Sequence, residues 1–525
     1  MMWRLANESA PSLLFVGEGS NTPRGMTALG AMETDPQEET LRFLSTLDGG
    51  AKVVSTHISR VVLGATRAFK LKRAVVFPYL DFSTPQKRLF FCEREAALNA
   101  RLAPRLYLGA RRVTREADGR LTLEGRGELV DAVVEMRRFP DDALLETRAR
   151  DGRLEEAEIE RLARRLARFH DGAEIARGSG GAGAMRRVLS LAAESLRGAP
   201  PASGEEIDAH LDRLSALLER HAALLDARDA RGATRHGHGD LTLRNICLFE
   251  GEPTPFDCIE FSDALAKIDT LYDLAFLLMD LWRLGLERLA NVAFNRYLDA
   301  RDEADGLPLL PFFMAMRATI RAHVAISQQR MDEAREEFAL ARRLVEDAPP
   351  LVVAIGGFSG SGKSSVAAAL APLVGAPPGA RTLNSDRLRK ALFGAEPTAR
   401  LPPPAYDSAV SVRVYAQMMG ESERVAASPW PVVVDAVFDK EEARHDVEAA
   451  AKRAGARFFG FWLDAPLEAR LRRVDARKGD PSDATRDVLL RQMQGETGAI
   501  GWRRLDAARG AEEVAAEIAA AVQVS

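Results

Sequence analysis

The sequence predicts two domains of different class, an α+β domain in the first half and an α/β domain with a parallel sheet in the second. Three observations carry this prediction. Residues 54–77 alternate β-branched and polar positions about a turn at Gly64 and lead into a helical stretch, which reads as a small sheet with one helix. Long helical patterns follow at 205–227 and 268–345, with a polar loop, "HGHGD", between them. From residue 351 onward apolar strand-like runs alternate with helix-like segments, as βαβ units require.

The first 35 residues are rich in Gly, Ser and Thr, and read as a disordered tail with Met26 and Met32 as alternative starts. Their only apolar run, "LLFV", is too short for a signal segment, and no stretch reaches the roughly 18 apolar residues of a membrane helix. "QKRLFFCEREAALNARLA" reads as a helix and "ELVDAVVEMRRF" as a strand with a polar exit. Ile159, Leu162, Leu166 and Phe169 sit at helical spacing, and "GSGGAGA" (178–184) reads as a loop. At "VEDAPP" the pattern resets. The boundary is placed near 347–350, which gives domains at 36–346 and 350–525. Beyond it, strands are predicted at "LVVAIGG", "ARTLN", "PVVVDAVF" and "RFFGFWLDA", with helices from Lys363 and over 408–427, 440–454 and 466–477.

Composition narrows the function classes. A net charge of −4 gives no support for bulk nucleic-acid or membrane binding. Cys92, Cys247 and Cys258 have no ligand spacing and build no disulfide framework, so a reducing, cytoplasmic setting is expected. Ten of the 72 basic residues are lysines, so a lysine inside a motif marks a place where arginine does not serve.

"GFSGSGKS" (357–364) matches G-x-x-x-x-G-K-S between a predicted strand and helix. Gly357, Gly360 and Gly362 let backbone N–H groups turn around phosphate oxygens, and the helix start adds positive charge. Lys363 is placed to reach the β and γ phosphates and Ser364, with Ser365 beside it, the Mg²⁺ side of the nucleotide. Asp386 and Asp435 fall at strand ends, where a parallel sheet holds its ligand. Asp435 suits the metal or its water, and Asp386 suits the proton of an acceptor hydroxyl; the plainer reading of each is a helix N-cap. Arg470, Arg473 and Arg477 share a helical face that could close over transferring phosphate or simply be solvated.

This half resembles the P-loop kinases of small molecules and polynucleotide ends, those near gluconate, adenylylsulfate and zeta-toxin-type kinases. "NSDRLRK" is similar to their D-x-x-R segment. The resemblance implies Asp386 as base and Arg389 as acceptor anchor.

The first half resembles the aminoglycoside phosphotransferase and choline kinase-like group, whose fold is protein-kinase-like. "HGDLTLRN" (238–245), "FDCIEFSDALAKIDTLYDLAFLL" and "AFKLKR" followed by Glu95 carry the resemblance. It implies Asp240 as base, Asn245 as magnesium ligand and "EMRR" as the adenine hinge. Lys70, rather than Lys72 on the same strand face, is implied as the phosphate lysine, paired with Glu95. The second metal carboxylate is Glu260 or Asp257, with Glu260 favoured on aligning "IEF" with the family's "IDF". Thr242 departs from the group's usual His, and Gly64 is the first hairpin's only glycine. Asp269 and Asp273 share a helix face and would either orient the catalytic loop or cap the helix, while His170 and His445 read as packing or surface residues.

The order of the two halves resembles a bacterial family of two-part predicted kinases. The expected function is a bifunctional phosphotransferase that uses ATP and Mg²⁺ and acts on hydroxyl groups of small-molecule acceptors. Two rivals stand beside it. One is a regulatory protein in which one half binds ATP without turnover. The other is a polynucleotide-end kinase, against which the near-neutral charge weighs.

Overall fold

Alternating burial along short strands starts the first sheet. The computed structural model describes residues 37–49, 52–56, 58–77, 80–345, 350–476 and 481–524. The expected tail over 1–35, Arg477 and residues 346–349 at the expected boundary lie outside these residues. Strands β1 (Lys52–Ser55), β2 (Ser59–Leu63), β3 (Arg67–Lys72), β4 (Tyr107–Arg115), β5 (Leu121–Leu123) and β6 (Glu128–Arg137) form an antiparallel sheet in the order β1-β2-β3-β6-β4-β5. Phe69 and Leu71 of β3 pack with Leu41 and Leu44 of helix α1 (Glu38–Thr46). Ala68 faces the other side, where Cys92 of helix α2 (Pro85–Asn99) lies, and the period of two brings Lys70 and Lys72 to that same side. Sequence reading found β2, β3 and β6 but not β4, where Arg111, Arg112 and Arg115 blur the apolar alternation.

Helices α3 (Glu156–Gly172), α4 (Gly181–Gly198) and α5 (Gly204–Ala230) follow. The loop expected over 178–184 ends earlier, because α4 begins at Gly181. Carboxylates of α5 hold that entry: Asp229 accepts from Gly178 N and Gly180 N at 2.7 and 3.1 Å, and Asp226 from Ala182 N at 2.8 Å. Strand β7 (Thr234–His236) pairs with β10 (Lys267–Asp269), and β8 (Ile246–Phe249) with β9 (Glu252–Pro255). Helices α6 (Thr270–Arg283), α7 (Glu287–Ala300), α8 (Leu310–Ser327) and α9 (Met331–Arg343) complete the run. The helical stretch Ala304–Ser327 is long and apolar enough by mean hydropathy to cross a membrane, but Asp305, Arg317 and Arg321 interrupt it and 83% of its most apolar window is buried, as in a core helix.

The second sheet is parallel throughout. Strands β11 (Leu351–Gly356), β12 (Arg381–Asn384), β13 (Val432–Asp435), β14 (Arg457–Asp464) and β15 (Arg503–Asp506) lie in the order β12-β13-β11-β14-β15. Around them run α10 (Lys363–Leu370), α11 (Ser385–Leu392), α12 (Ser408–Ala427), α13 (Glu441–Arg453), α14 (Leu467–Asp475), α15 (Arg486–Gln494) and α16 (Ala511–Val524). The strand order reverses at β11, so the carboxyl ends of β11, β12 and β13 frame a ligand crevice.

The chain divides into two compact units, and the division departs from the single cut expected near 347–350. Gly285–Pro311 belongs with Leu344–Ser525, while Phe312–Arg343 belongs with the residues up to Leu284. The polar face of α7 explains this. Asn291 Nδ2 donates to Pro378 O and Ala380 O at 3.0 and 3.1 Å, Asn295 Oδ1 accepts from Thr382 N at 2.7 Å, and Asp299 pairs with Arg381 at 2.6 Å. Phe294 packs on Trp430 at 5.8 Å between ring centroids. Helical periodicity reveals an apolar face but not the partner it meets.

Candidate active sites

Two lysines on one face of β3 meet one buried glutamate. Lys70 Nζ lies 2.9 Å from Glu95 Oε1 and 2.5 Å from Asp257 Oδ1. Lys72 Nζ lies 2.6 Å from Glu95 Oε2 and 2.5 Å from Glu260 Oε1. Burial opposes charge on Glu95, yet the two ammonium groups hold its pKa down to about 2. The lysines are not equivalent. The Lys72 side chain is 1% exposed and closed in by two glutamates, whereas Lys70 stands at the open side beside Asp257, whose side chain is 21% exposed.

Asp257 follows β9 directly. Phe256 N donates to Asn245 O at 2.9 Å, so the β8–β9 ladder runs out at Asn245 and leaves Asp257 next to it. Its φ of +61° is uncommon for a residue with a side chain, and Tyr107 Oη accepts its N–H at 3.1 Å. Glu260 and Asp257, the two carboxylates weighed for the metal, differ in burial and in partner. Glu260 is 4% exposed and paired with Lys72, and burial pushes its pKa up, while Asp257 pairs with Lys70 just beyond the end of β9.

The 238–245 loop is held from behind by α6. Asp273 accepts from His238 N at 2.7 Å, Gly239 N at 2.9 Å and His170 Nε2 at 3.2 Å. Asp280, seven residues on, accepts from Leu243 N at 2.9 Å. His238 Nε2 donates to Phe256 O at 3.0 Å and its Nδ1 accepts from Asp240 N at 3.3 Å, and burial lowers its pKa. Gly239 is required: its φ is +85°, and a Cβ there would meet Ile259 Cδ1 at 2.8 Å. Asn245 Nδ2 donates to Asp240 Oδ2 at 2.7 Å. Asp273 therefore orients the loop, and Asp269 caps α6 through Leu271 N at 2.8 Å while pairing with Arg228. His170 is buried in this arrangement, and His445 is exposed.

Leu63, Ala68, Met136, Phe139 and Phe256 line a slot beside the "EMRR" segment, closed down to about 10 Å³. Arg138 ties the hairpin to this segment, donating its N–H to Thr66 O at 2.8 Å and NH1 to Gly64 O at 2.5 Å. Gly64 thus lies at the hinge end of the sheet, and Lys70 lies further along β3, opposite Val134.

In the second unit the phosphate loop opens α10. Gly360 and Gly362 have φ of +78° and +92°, and a Cβ on Gly360 would meet Arg470 O at 2.5 Å. Lys363 Nζ donates to Phe358 O at 3.2 Å. Arg473 curls onto the same loop, with NH1 at 3.4 and 3.3 Å from Gly360 O and Ser361 O and NH2 at 2.8 Å from Ala507 O. Arg470 lies over the Phe358 ring instead. Gly360, Gly362, Lys363, Ser364, Ser365 and Arg473 line a cleft of about 350 Å³. Gly357 has φ +142° at the end of β11.

Asn384, absent from the expected set, joins the carboxylates to the loop. Its Nδ2 donates to Asp435 Oδ2 at 2.6 Å and lies 3.3 Å from Ser364 Oγ, while its Oδ1 caps α11 through Arg387 N at 2.9 Å. Asp435 is 3% exposed at the end of β13. Asp386 is half-buried, and burial raises its pKa against the pull of Ser482, with nearby Asp435 raising it further. Arg389 donates to Ala405 O at 2.8 Å and Ser411 Oγ at 3.2 Å and lies over Tyr406, so much of its guanidinium is already engaged. Lys390 Nζ pairs with Asp483 at 2.5 Å, which draws the 481–485 segment onto α11. A second unexpected segment is 507–511, whose Arg509 lines the phosphate cleft. Asn384 was legible only as an N-cap residue, and 507–511 carried no signal.

Both sites offer hard oxygen donors of the kind Mg²⁺ takes: Asp257 with Asn245, and Asp435 with Ser364. Among the described residues no cluster of three or more His, Cys, Asp or Glu groups could hold a metal. One or two carboxylates suffice for Mg²⁺ where phosphate oxygens complete the shell.

A lysine–glutamate–aspartate centre above an Asp-to-Asn loop, and a separate phosphate loop on a parallel sheet, define a protein of two kinase-type domains. Residues 54–307 match the family described as Phosphotransferase enzyme family, and residues 352–497 match that described as AAA domain. The uncharacterized protein Rv2004c of Mycobacterium tuberculosis is 30% identical over 466 residues, 85% of this chain and 91% of its own length, and the uncharacterized protein Mb2027c of Mycobacterium bovis gives the same figures. The chain belongs to the family of these two mycobacterial proteins, joining a phosphotransferase-type domain to a P-loop kinase domain. Among solved structures, the GDP complex of aminoglycoside 2'-phosphotransferase-IIIa is 14% identical with a TM-score of 0.37, over 60% of this chain and 99% of that one. The APS kinase CysC of Mycobacterium tuberculosis, solved with AMPPNP and APS, is 23% identical with a TM-score of 0.25, over 34% of this chain and 99% of that one.

Proposed function

We propose that each unit transfers the γ-phosphoryl group of ATP to a hydroxyl group of its own small-molecule acceptor. The observation that supports this best is that each unit holds a carboxylate beside its other site residues: Asp240 bonded to Asn245 in one unit, and Asp386 within reach of the charges of Asp435 and Lys363 in the other. In the first unit Lys70, held by Glu95, orients the phosphates, Asp257 and Asn245 hold Mg²⁺, and Asp240 takes the hydroxyl proton. In the second, the loop at 357–364 cradles the phosphates, Asp435 and Ser364 face the metal, and Asp386 takes the proton. The bound Mg²⁺ supplies charge neutralisation on the phosphate oxygens. In both, the new bond joins the acceptor oxygen to the γ-phosphorus, the bond to the ADP oxygen breaks, and the proton ends on the carboxylate. Arg473 steadies the loop, and Arg389 faces the acceptor side only with the nitrogen that has no partner among the described residues.

The first hairpin carries Gly64 as its only glycine, hence little phosphate cover, and this favours a second reading for the first unit alone, in which it binds nucleotide as a regulatory module without turnover. Transfer of ³²P from γ-labelled ATP to pooled metabolites, nucleotides and RNA ends separates the readings. The wild-type chain should label two sets of products. Asp240→Asn should lose one set and Asp386→Asn the other, each by about 10²- to 10⁴-fold. If no product depends on Asp240, the regulatory reading stands for the first unit. Label confined to RNA ends would replace the small-molecule reading.

A further inference from the structure

We propose that the first unit carries a second small-molecule site, distinct from the Lys70–Asp257 centre, for a compact apolar anion the size of a single aromatic ring. A cavity of about 160 Å³ lies between α4, α6, α8 and the segment that enters β10. Its walls are chiefly apolar, from Met185, Val188, Leu191, Leu265, Ile268 and Phe313.

Two of the lining residues, Arg317 and Tyr272, carry a polar atom without a partner. Arg317, 2% exposed, donates Nε to Tyr272 O at 3.1 Å and NH1 to Gly239 O at 3.3 Å, but its NH2 has no hydrogen-bond partner. Tyr272, 3% exposed, lies with its ring 3.7 Å under that guanidinium, and its hydroxyl also has no partner. No carboxylate makes an ion pair with Arg317 among the described residues. Asp273 feels its charge, but Asp273 already serves His238, Gly239 and His170.

A buried guanidinium nitrogen and a buried hydroxyl left without acceptors are costly, and proteins rarely keep both. One ligand carboxylate would satisfy them together, one oxygen accepting from Arg317 NH2 and the other from the Tyr272 hydroxyl. Arg187 adds positive charge to the lining, Lys267 there is paired with Asp263 at 2.9 Å, and the one carboxylate in the lining, Asp269, is taken by Arg228 at 2.7 and 2.9 Å. The volume sets the body of the ligand: an apolar cavity of about 150 Å³ stays dry and admits benzene.

The probe is benzoate, with benzyl alcohol and benzylamine as neutral and cationic counterparts, titrated into the full chain without nucleotide and followed by calorimetry and saturation-transfer NMR. Because the readout is binding without ATP, its failure and a failure of phosphoryl transfer are separate results. Benzoate should bind more tightly than benzyl alcohol, and benzylamine should not bind. Tyr272→Phe should weaken benzoate about fivefold. Arg317→Gln should weaken it about tenfold or more. Ala184→Trp, which fills the cavity from α4 without touching Arg317, should abolish binding. If circular dichroism shows Arg317→Gln to be unfolded, the other two variants decide. Benzoate binding no tighter than benzylamine, or unchanged in Ala184→Trp, would overturn the proposal.

Discussion

Lys70 and Lys72 are two residues apart on one strand face, share Glu95, and differ in the second carboxylate each meets. That difference supports the separate roles proposed for them. Lys72 with Glu260 is a sealed ion pair, and removing one partner of such a pair leaves a buried charge, at a cost of about 3–5 kcal/mol. Lys70 with Asp257 is open on one side, and its carboxylate can exchange the ammonium for a phosphate-bound metal. Asp257→Asn is therefore expected to abolish the Mg²⁺ dependence of ATP binding by the first unit and leave its melting temperature nearly unchanged. Glu260→Gln is expected to do the reverse, lowering the melting temperature while keeping the Mg²⁺ dependence. Calorimetry with Lys363→Ala in the background, so that the second unit is silent, reads both. Loss of Mg²⁺ dependence in Glu260→Gln alone would restore the register that aligns "IEF" with "IDF".

Among the elements, α6 acts as the backing of the 238–245 loop, because Asp273 and Asp280 sit two turns apart and reach N–H groups along it. Burial opposes the charge on Asp280, yet Arg283, Arg321 and the Leu243 N–H bring its pKa down to about 2. A carboxylate whose folded pKa is depressed contributes stability above its unfolded value near 3.8, and that stability is lost as pH falls from there through about 2. Asp280→Ala should destabilise the first unit by about 3 kcal/mol at pH 7. It should also flatten the fall in stability below pH 4, both read by urea unfolding across pH. An unchanged acid limb would show that Asp280 is not what holds Leu243. The sequence made the loop itself legible, because Asp240 and Asn245 keep a fixed spacing, and Lys70 and Glu95 fall on a strand and the helix after it. Asp280 was hidden, since an aspartate amid an apolar helix says only that something buried pairs with it. The choice between Asp257 and Glu260 was hidden too, because it turns on where a two-strand ladder ends and on the φ of one residue. In the second unit the apolar runs at β11 to β14 announced the sheet, but β15 reads "RRLD" and carries no apolar run.

At the scale of the whole chain, the two units are interlaced in sequence. The chain leaves the first unit at Leu284, gives Gly285–Pro311 to the second, returns for Phe312–Arg343, and only then enters the second for good. Cutting at 347–350, where composition suggests a linker, therefore removes α7 from the unit it completes. The consequences can be counted by residue. Asn295 would no longer accept the Thr382 N–H on β12, an edge strand. Arg381, 2% exposed, would lose Asp299 and keep Glu421, at 2.7 Å, as its ion-pair partner. Trp430, 3% exposed, would lose Phe294, and baring one such aromatic contact costs about 1.5–3 kcal/mol. Together these losses are comparable with the whole stability of a typical domain, about 5–15 kcal/mol. The fragment 350–525 is therefore expected to be far more sensitive to urea and to limited proteolysis than the same residues in the intact chain. A synthetic peptide of residues 285–311 should restore part of the protection when added in trans, and the same peptide with Asn295→Ala and Asp299→Ala should not. A fragment as resistant as the intact chain would mean that α7 only rests on the second unit, and each activity could then be assayed on separated halves rather than through point variants of the full chain.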